Sequence, residues 1–240
     1  MTQTHSARIV AALLVSGVVT ACATATPPPP PIASSAAAPQ VSVSGIAKAR
    51  ADSVRYPFTA ADIHFMSAMI GHHAQAIAMA GRAPTHGASP SVRRLAERII
   101  NAQQDEIATM QTWLGERRQP VPEASPKGMK MVMNGMEHMM LMPGMLTDEQ
   151  MKQLDEARGT TFDRLFLTFM IQHHRGAVSM VKQLFGSYGA AQDETVFKFA
   201  NDVNVDQSTE IARMGKMLDA LGAEGRTRSI DVPSSSRNPT

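Results

Sequence analysis

The chain has 240 residues, a nearly balanced charge (23 Lys and Arg against 21 Asp and Glu, net +2), one cysteine and 18 methionines. The lone cysteine excludes an intramolecular disulfide, and the mixed charge gives no basic face for nucleic acid. Few aromatics (5%) beside abundant Ala and Met favour helices over sheets.

Residues 1–21 read as a secretory signal. Arg8 precedes the apolar run Ile9 to Val19, which is too short for a stable transmembrane helix. Val19-Thr20-Ala21-Cys22 then has the form of a bacterial lipobox, so Cys22 is the expected lipidation site and the membrane an expected partner through that anchor. Residues 22–53, rich in Pro, Ala and Ser and including Pro27 to Pro31, are expected to form an extended tether. Residues 54–224 leave about 170 residues for one folded domain. Residues 225–240, with Pro233, Ser234 to Ser236 and Pro239, are expected to be disordered.

The domain is an internal repeat. Asp62, Phe65, Met69, His72, His73, Ala76 and Met79 recur in the same order and spacing as Asp163, Phe166, Met170, His173, His174, Ala177 and Met180. Both stretches have helical periodicity. Phe65, Met69, His72, His73 and Ala76 share one face, while His64, Gly71, Ala74 and Gln75 fall on the other. A second helix follows each. The first reads Gln103-x-x-Glu106-Ile107-x-x-Met110, the second Gln207-x-x-Glu210-Ile211-x-x-Met214, with Gly222 as a stop. Hairpin 1 is thus placed at about 59–116 and hairpin 2 at about 159–222. Neither can bury its inner face alone, so the expected fold is all-α, a four-helix bundle of two repeated hairpins. The linker at 117–158 holds a methionine cluster and, from Thr147, a short extra helix.

The chemistry lies in the repeated word. Imidazole and thioether together suit soft ions, above all Cu(I), while imidazole also accepts Cu(II). His72, His73, His173 and His174 with Met69, Met79, Met170 and Met180 are the candidate ligands. One buried His is more often a hydrogen-bonded core residue, and Met is a common core filler. Four His in two matched registers favour a built site. Glu106 and Glu210, with Gln103 and Gln207 one turn before them, fall on the inner stripes and are expected to orient the imidazoles. Asp62 and Asp163 read simply as acids at helix starts. In the linker, Met133, Met136, Met139 and Met140 with His138 form a second candidate metal cluster. The spacing of Met133, Met136 and Met139 would line one side of a helix.

These words together resemble the bacterial domain-of-unknown-function family 305 (DUF305). The resemblance rests on Phe65-Met66-x-x-Met69-Ile70-x-His72-His73, on Pro143-Gly144-Met145, and on Phe166-Leu167-x-x-Met170-Ile171-x-His173-His174-x-Gly176-Ala177. It implies a ferritin-like helical bundle outside the cytoplasm and a relation to periplasmic copper-binding members. It does not imply a carboxylate di-iron centre, because no Glu in the chain has a His three residues on. No catalytic motif is present. The expected function is therefore a lipid-anchored, extracytoplasmic copper-binding protein, periplasmic or cell-surface facing. It would buffer, store or transfer the ion, with copper-handling proteins as partners. The alternative is a structural or interaction module of the envelope whose His pairs are satisfied in its core.

Overall fold

The computed structural model describes residues 42–55, 57–133 and 136–230. The signal segment, Cys22, the first part of the tether and residues 231–240 lie outside them. The order of elements is α1 (Val43–Arg55), α2 (Ala60–Ala80), α3 (Pro90–Glu116), β1 (Met129–Met133), β2 (Met136–Met140), α4 (Asp148–Glu156), α5 (Gly159–Gly186) and α6 (Glu194–Ile230). The fold is helical, with one two-stranded ribbon among the described residues. None of these helices is long and apolar enough to cross a membrane.

The helix starts follow from local chemistry. Thr59 and Asp62 form a capping box on α2, and Thr147 and Gln150 form another on α4. Ser89 caps α3, with Pro90 in its first turn. Helix α2 packs on α3, α5 packs on α6, and the two hairpins meet along α2 and α5.

Two core clusters show how the hairpins face each other. One joins the first half of α2 (Phe65, Met66, Met69, Ile70) to the second half of α5 (Ala177, Met180, Val181, Leu184), together with Met110, Trp113, Met142 and Met145. The other joins the end of α2 (Ala76, Met79, Ala80) to the first half of α5 (Phe162, Phe166, Leu167, Met170), together with Leu95, Ile99 and Met214. Helices α2 and α5 therefore run antiparallel, and the four histidines occupy the stretch between the clusters on each helix.

Two aspartates tie the hairpins together. The Asp62 carboxylate at the head of α2 accepts the backbone N–H of Ala191, in the turn before α6, at 2.7 Å. Asp163 near the head of α5 accepts the N–H of Ser89, in the turn before α3, at 3.1 and 3.2 Å. Both are almost fully buried. They are reciprocal clasps between hairpins, a larger role than that of acids at helix starts.

Four expectations are corrected. Residues 43–53, read as tether, belong to α1. The segment Ala47-Lys48-Ala49-Arg50-Ala51 is made of strong helix formers, and Ser42 Oγ accepts the N–H of Gly45 at 2.9 Å at its start. Residues 225–230, read as disordered, continue α6 through Gly222. One interior glycine costs only about 1 kcal/mol, and Leu218 and Leu221 just before it pack on the core. The spacing of Met133, Met136 and Met139 forms no helix but antiparallel strands, with Asn134-Gly135, a favoured hairpin dipeptide, between them in sequence. Lastly, Gly71, Ala74 and Gln75 do not face solvent. The linker folds over that side of α2, and Gln75 holds it, donating to the carbonyls of Pro126 (3.1 Å) and Leu146 (3.0 Å) and accepting from the Leu146 N–H (2.7 Å).

Candidate metal centre

Successive helical residues point about 100° apart, so each His-His pair sends one ring in each of two directions. His72 and His173 turn toward each other across the α2–α5 seam, with ring centroids 3.8 Å apart and planes at 38°. His73 and His174 turn outward to α3 and α6. There Nε2 of His73 lies 2.7 Å from Oε2 of Glu106, and Nε2 of His174 lies 2.7 Å from Oε2 of Glu210. The His174 contact has hydrogen-bond geometry, whereas the His73 contact is equally close but poorly aligned. All four rings are fully buried, while Glu106 and Glu210 keep about a fifth of their side chains exposed.

The hydrogen bonds decide which nitrogens are free. His72 Nε2 lies 3.0 Å from the carbonyl oxygen of Pro143. A carbonyl only accepts, so in the neutral ring Nε2 carries the proton and Nδ1 presents its lone pair. The same reasoning applies to His174, whose Nε2 faces a carboxylate. Buried and without a partner are His72 Nδ1, His73 Nδ1, His174 Nδ1 and both ring nitrogens of His173. An unsatisfied buried polar atom costs about 1–3 kcal/mol, and native folds carry few. With His73 Nε2, whose contact to Glu106 is poorly aligned, six such nitrogens fall within one layer of two short helical words, more than packing alone would favour.

The two rings that meet at the seam, His72 and His173, are uncharged at neutral pH. Burial, followed by the neighbouring His73 charge, lowers the His72 pKa from 6.5 to about 3, against a smaller upward pull from the Pro143 carbonyl. Burial, and then the charges of His72, His174 and His73, hold His173 well below its ordinary value. Neutral imidazoles need lose no proton to bind a metal.

Sulfur lies on both sides of this layer. Met69 and Met180 sit in the first core cluster, Met79 and Met170 in the second, and all four are buried. Among the described residues, no three His, Cys, Asp or Glu side chains converge as a metal-binding group. The donor types carried by this stretch of α2 and α5, imidazole and thioether, are the set that suits Cu(I) and Ag(I). Gln103 and Gln207 are buried, and Gln103 Oε1 and both amide atoms of Gln207 lack partners. Met136, His138, Met139 and Met140 lie apart on the ribbon and are exposed.

Four residues that contribute to the site, Pro143, Gly144, Gly176 and Gln75, carried no assigned role in the sequence. The Pro143 carbonyl reaches His72 because Gly144, at φ +79°, and Gly176 let the linker press against α5. A Cβ on Gly176 would overlap the Pro143 carbonyl and lie 2.6 Å from Gly144 Cα. Gln75 anchors the far end of the same strap. The Pro143-Gly144 pair and the His173-His174-x-Gly176 word were visible signals, but their meeting is tertiary.

Solved structures resemble this arrangement. A DUF305 protein from Streptomyces coelicolor is 31% identical, with a TM-score of 0.57 over 68% of this chain and 94% of that one. A DUF305 fragment from Deinococcus radiodurans is 26% identical, with a TM-score of 0.55 over 68% and 98%. CopM is 30% identical in its Cu(II)-bound form, TM-score 0.51, and 28% identical in its Cu(I)-bound form, TM-score 0.50, each covering 66% of this chain and 96% of that one. No curated protein matches the chain. The family profile itself matches residues 62–218, from the Asp62 clasp to the last inward positions of α6, and the chain belongs to the family described as domain of unknown function DUF305.

Proposed function

We propose that this protein binds a soft metal ion, copper as Cu(I) in the first place, in the buried layer between its two hairpins, and that it buffers, stores or transfers that ion. The observation that carries the proposal is the layer of fully buried imidazoles with unpartnered nitrogens, with buried thioethers in the core clusters on either side. His72, His73, His173 and His174 would supply nitrogen, and Met69, Met79, Met170 and Met180 sulfur. Glu106 and Glu210 would orient two of the rings. Bound copper would supply soft-ion coordination, and this chain's residues would hold and shield it. Similarity to CopM, whose structures contain Cu(I) and Cu(II), supports the choice of metal. The signal-like start and Cys22 support an extracytoplasmic, lipid-anchored setting. So does the Streptomyces relative, named as a candidate secreted protein.

One observation favours a second reading. His174 is already bonded to Glu210, and His73 lies against Glu106, as a metal-free structural module would require. Anaerobic Cu(I) titration of the full chain against a chromophoric chelator separates the two, with His72→Ala/His173→Ala run beside the parent. The parent is expected to withdraw Cu(I) from the chelator and the variant to hold fewer ions. Equal uptake by both overturns the assignment to the buried layer, and none by the parent overturns the metal reading in favour of the structural one.

A further inference from the structure

The linker ribbon sorts its residues by chemistry. Strand pairing sets Met129 opposite Met140, Lys130 opposite Met139, Met131 opposite His138, Val132 opposite Glu137 and Met133 opposite Met136. Opposed residues share a face, and successive residues alternate between faces. One face therefore carries positions 129, 131, 133, 136, 138 and 140, which are five methionines and one histidine. The other carries Lys130, Val132, Glu137 and Met139. Strands built only to pack favour β-branched and aromatic residues, and not one stands on the methionine face. The recurrent property there is sulfur, a neutral soft donor.

The placement of that face is equally specific. Met136 is 62% exposed and Met140 40% exposed, and His138 is exposed as well. Opposite Met140, at the end of the ribbon away from its turn, Met129 is partly buried against the core cluster that holds Met69, Met142, Met145 and Met180. The ribbon lies along α2, where a Cβ on Gly71 would come within 3.1 Å of the Gly128 carbonyl oxygen. The face thus runs from solvent toward the bundle, whereas the histidine layer is wholly buried.

We propose that this face is a separate, solvent-accessible site for a soft monovalent cation of the Cu(I) or Ag(I) class. Its donors are the thioethers of Met129, Met136 and Met140 and the imidazole of His138. Opposed side chains in a strand pair have Cβ atoms roughly 4.5–5.5 Å apart, so the opposed pair Met129 and Met140 can close on one ion. Register removes Met139 from the linker ligand set read from the sequence and adds Met129. The site stands whether or not the buried layer holds an ion.

The test is an Ag(I) titration of the full chain labelled with 13C at the methionine methyls, read by NMR. Silver is a redox-inert, diamagnetic probe for this ligand class. The methyls of Met129, Met136 and Met140 are expected to shift, while Met139 stays in place. The same shifts are expected in His72→Ala/His173→Ala. The variant Met136→Leu/His138→Gln/Met140→Leu, whose leucines keep the ribbon apolar, is expected to bind fewer ions while the parent response of the Met69 and Met170 methyls persists. Shifts at Met139 matching its neighbours, unmoved ribbon methyls in the parent, or parent-level binding in the ribbon variant each overturn the proposal. Silence at Met69 and Met170 alone would count against the buried site and leave the ribbon site standing.

Discussion

At the scale of single residues, the histidine layer makes the metal-free fold sensitive to pH. His72 has a folded pKa of about 3 against an unfolded value of 6.5. Between those values the unfolded chain binds a proton that the folded chain refuses, so stability is fullest above pH 6.5 and falls as pH drops toward 3. His173 acts in the same direction. Urea unfolding at pH 7, 6 and 5 should therefore show a progressive loss of at most about 1.4 kcal/mol per pH unit for each of the two rings. A flat profile would mean that the rings are not held neutral by burial. Glu106 and Glu210 give a second expectation. In Glu106→Gln/Glu210→Gln an amide oxygen can still accept from each Nε2–H, so the metal-free fold should change little. Copper affinity should nevertheless fall by about 10–100-fold, as when partners that orient a ligand are lost. Chelator competition and urea unfolding on the same preparation read the two effects apart, and unchanged affinity would leave the carboxylates a purely structural role.

At the scale of elements, the closest fit is between the linker strap and α5. Gly176 and Gly144 face each other so closely that a Cβ on either would strike the other's backbone. Gly176→Ala should cost about 1–3 kcal/mol through overpacking, measured as a lowered urea midpoint, and an unchanged midpoint would mean the strap yields freely. Elements with a local signature were legible in the sequence. The Thr59–Asp62 and Thr147–Gln150 boxes and Ser89-Pro90 mark helix starts, and the repeat exposes the inward stripes. Elements without one were not. A Met-x-x-Met spacing fits a helix face as readily as the ribbon that forms, and α1 has strong helix formers but no marked apolar stripe to announce it. Gln75 looked solvent-facing because its burial depends on a segment that returns 51 to 71 residues later. The same limit applies to the candidate site. The repeated words single out the four histidines, and Glu106 and Glu210 follow from their stripe. Which nitrogens stay free depends on Pro143, 71 residues from His72.

At the scale of the whole molecule, the repeat sets two matching halves against each other along one seam. Each hairpin contributes one His-His pair and two methionines, and each contributes an aspartate that grips the turn of the other, Asp62 at Ala191 and Asp163 at Ser89. Antiparallel α2 and α5 bring Met69 into the cluster of Met180, and Met79 into the cluster of Met170. An ion held across this seam would join the hairpins and stabilise the folded chain by mass action. The most direct test is an anomalous difference map at the copper edge from crystals of the Cu(I)-loaded chain. The account predicts a peak at the α2–α5 seam within bonding distance of His72 or His173 and of at least one of Met69, Met79, Met170 and Met180. Copper found on the surface or the ribbon, with the histidine layer empty, would contradict it.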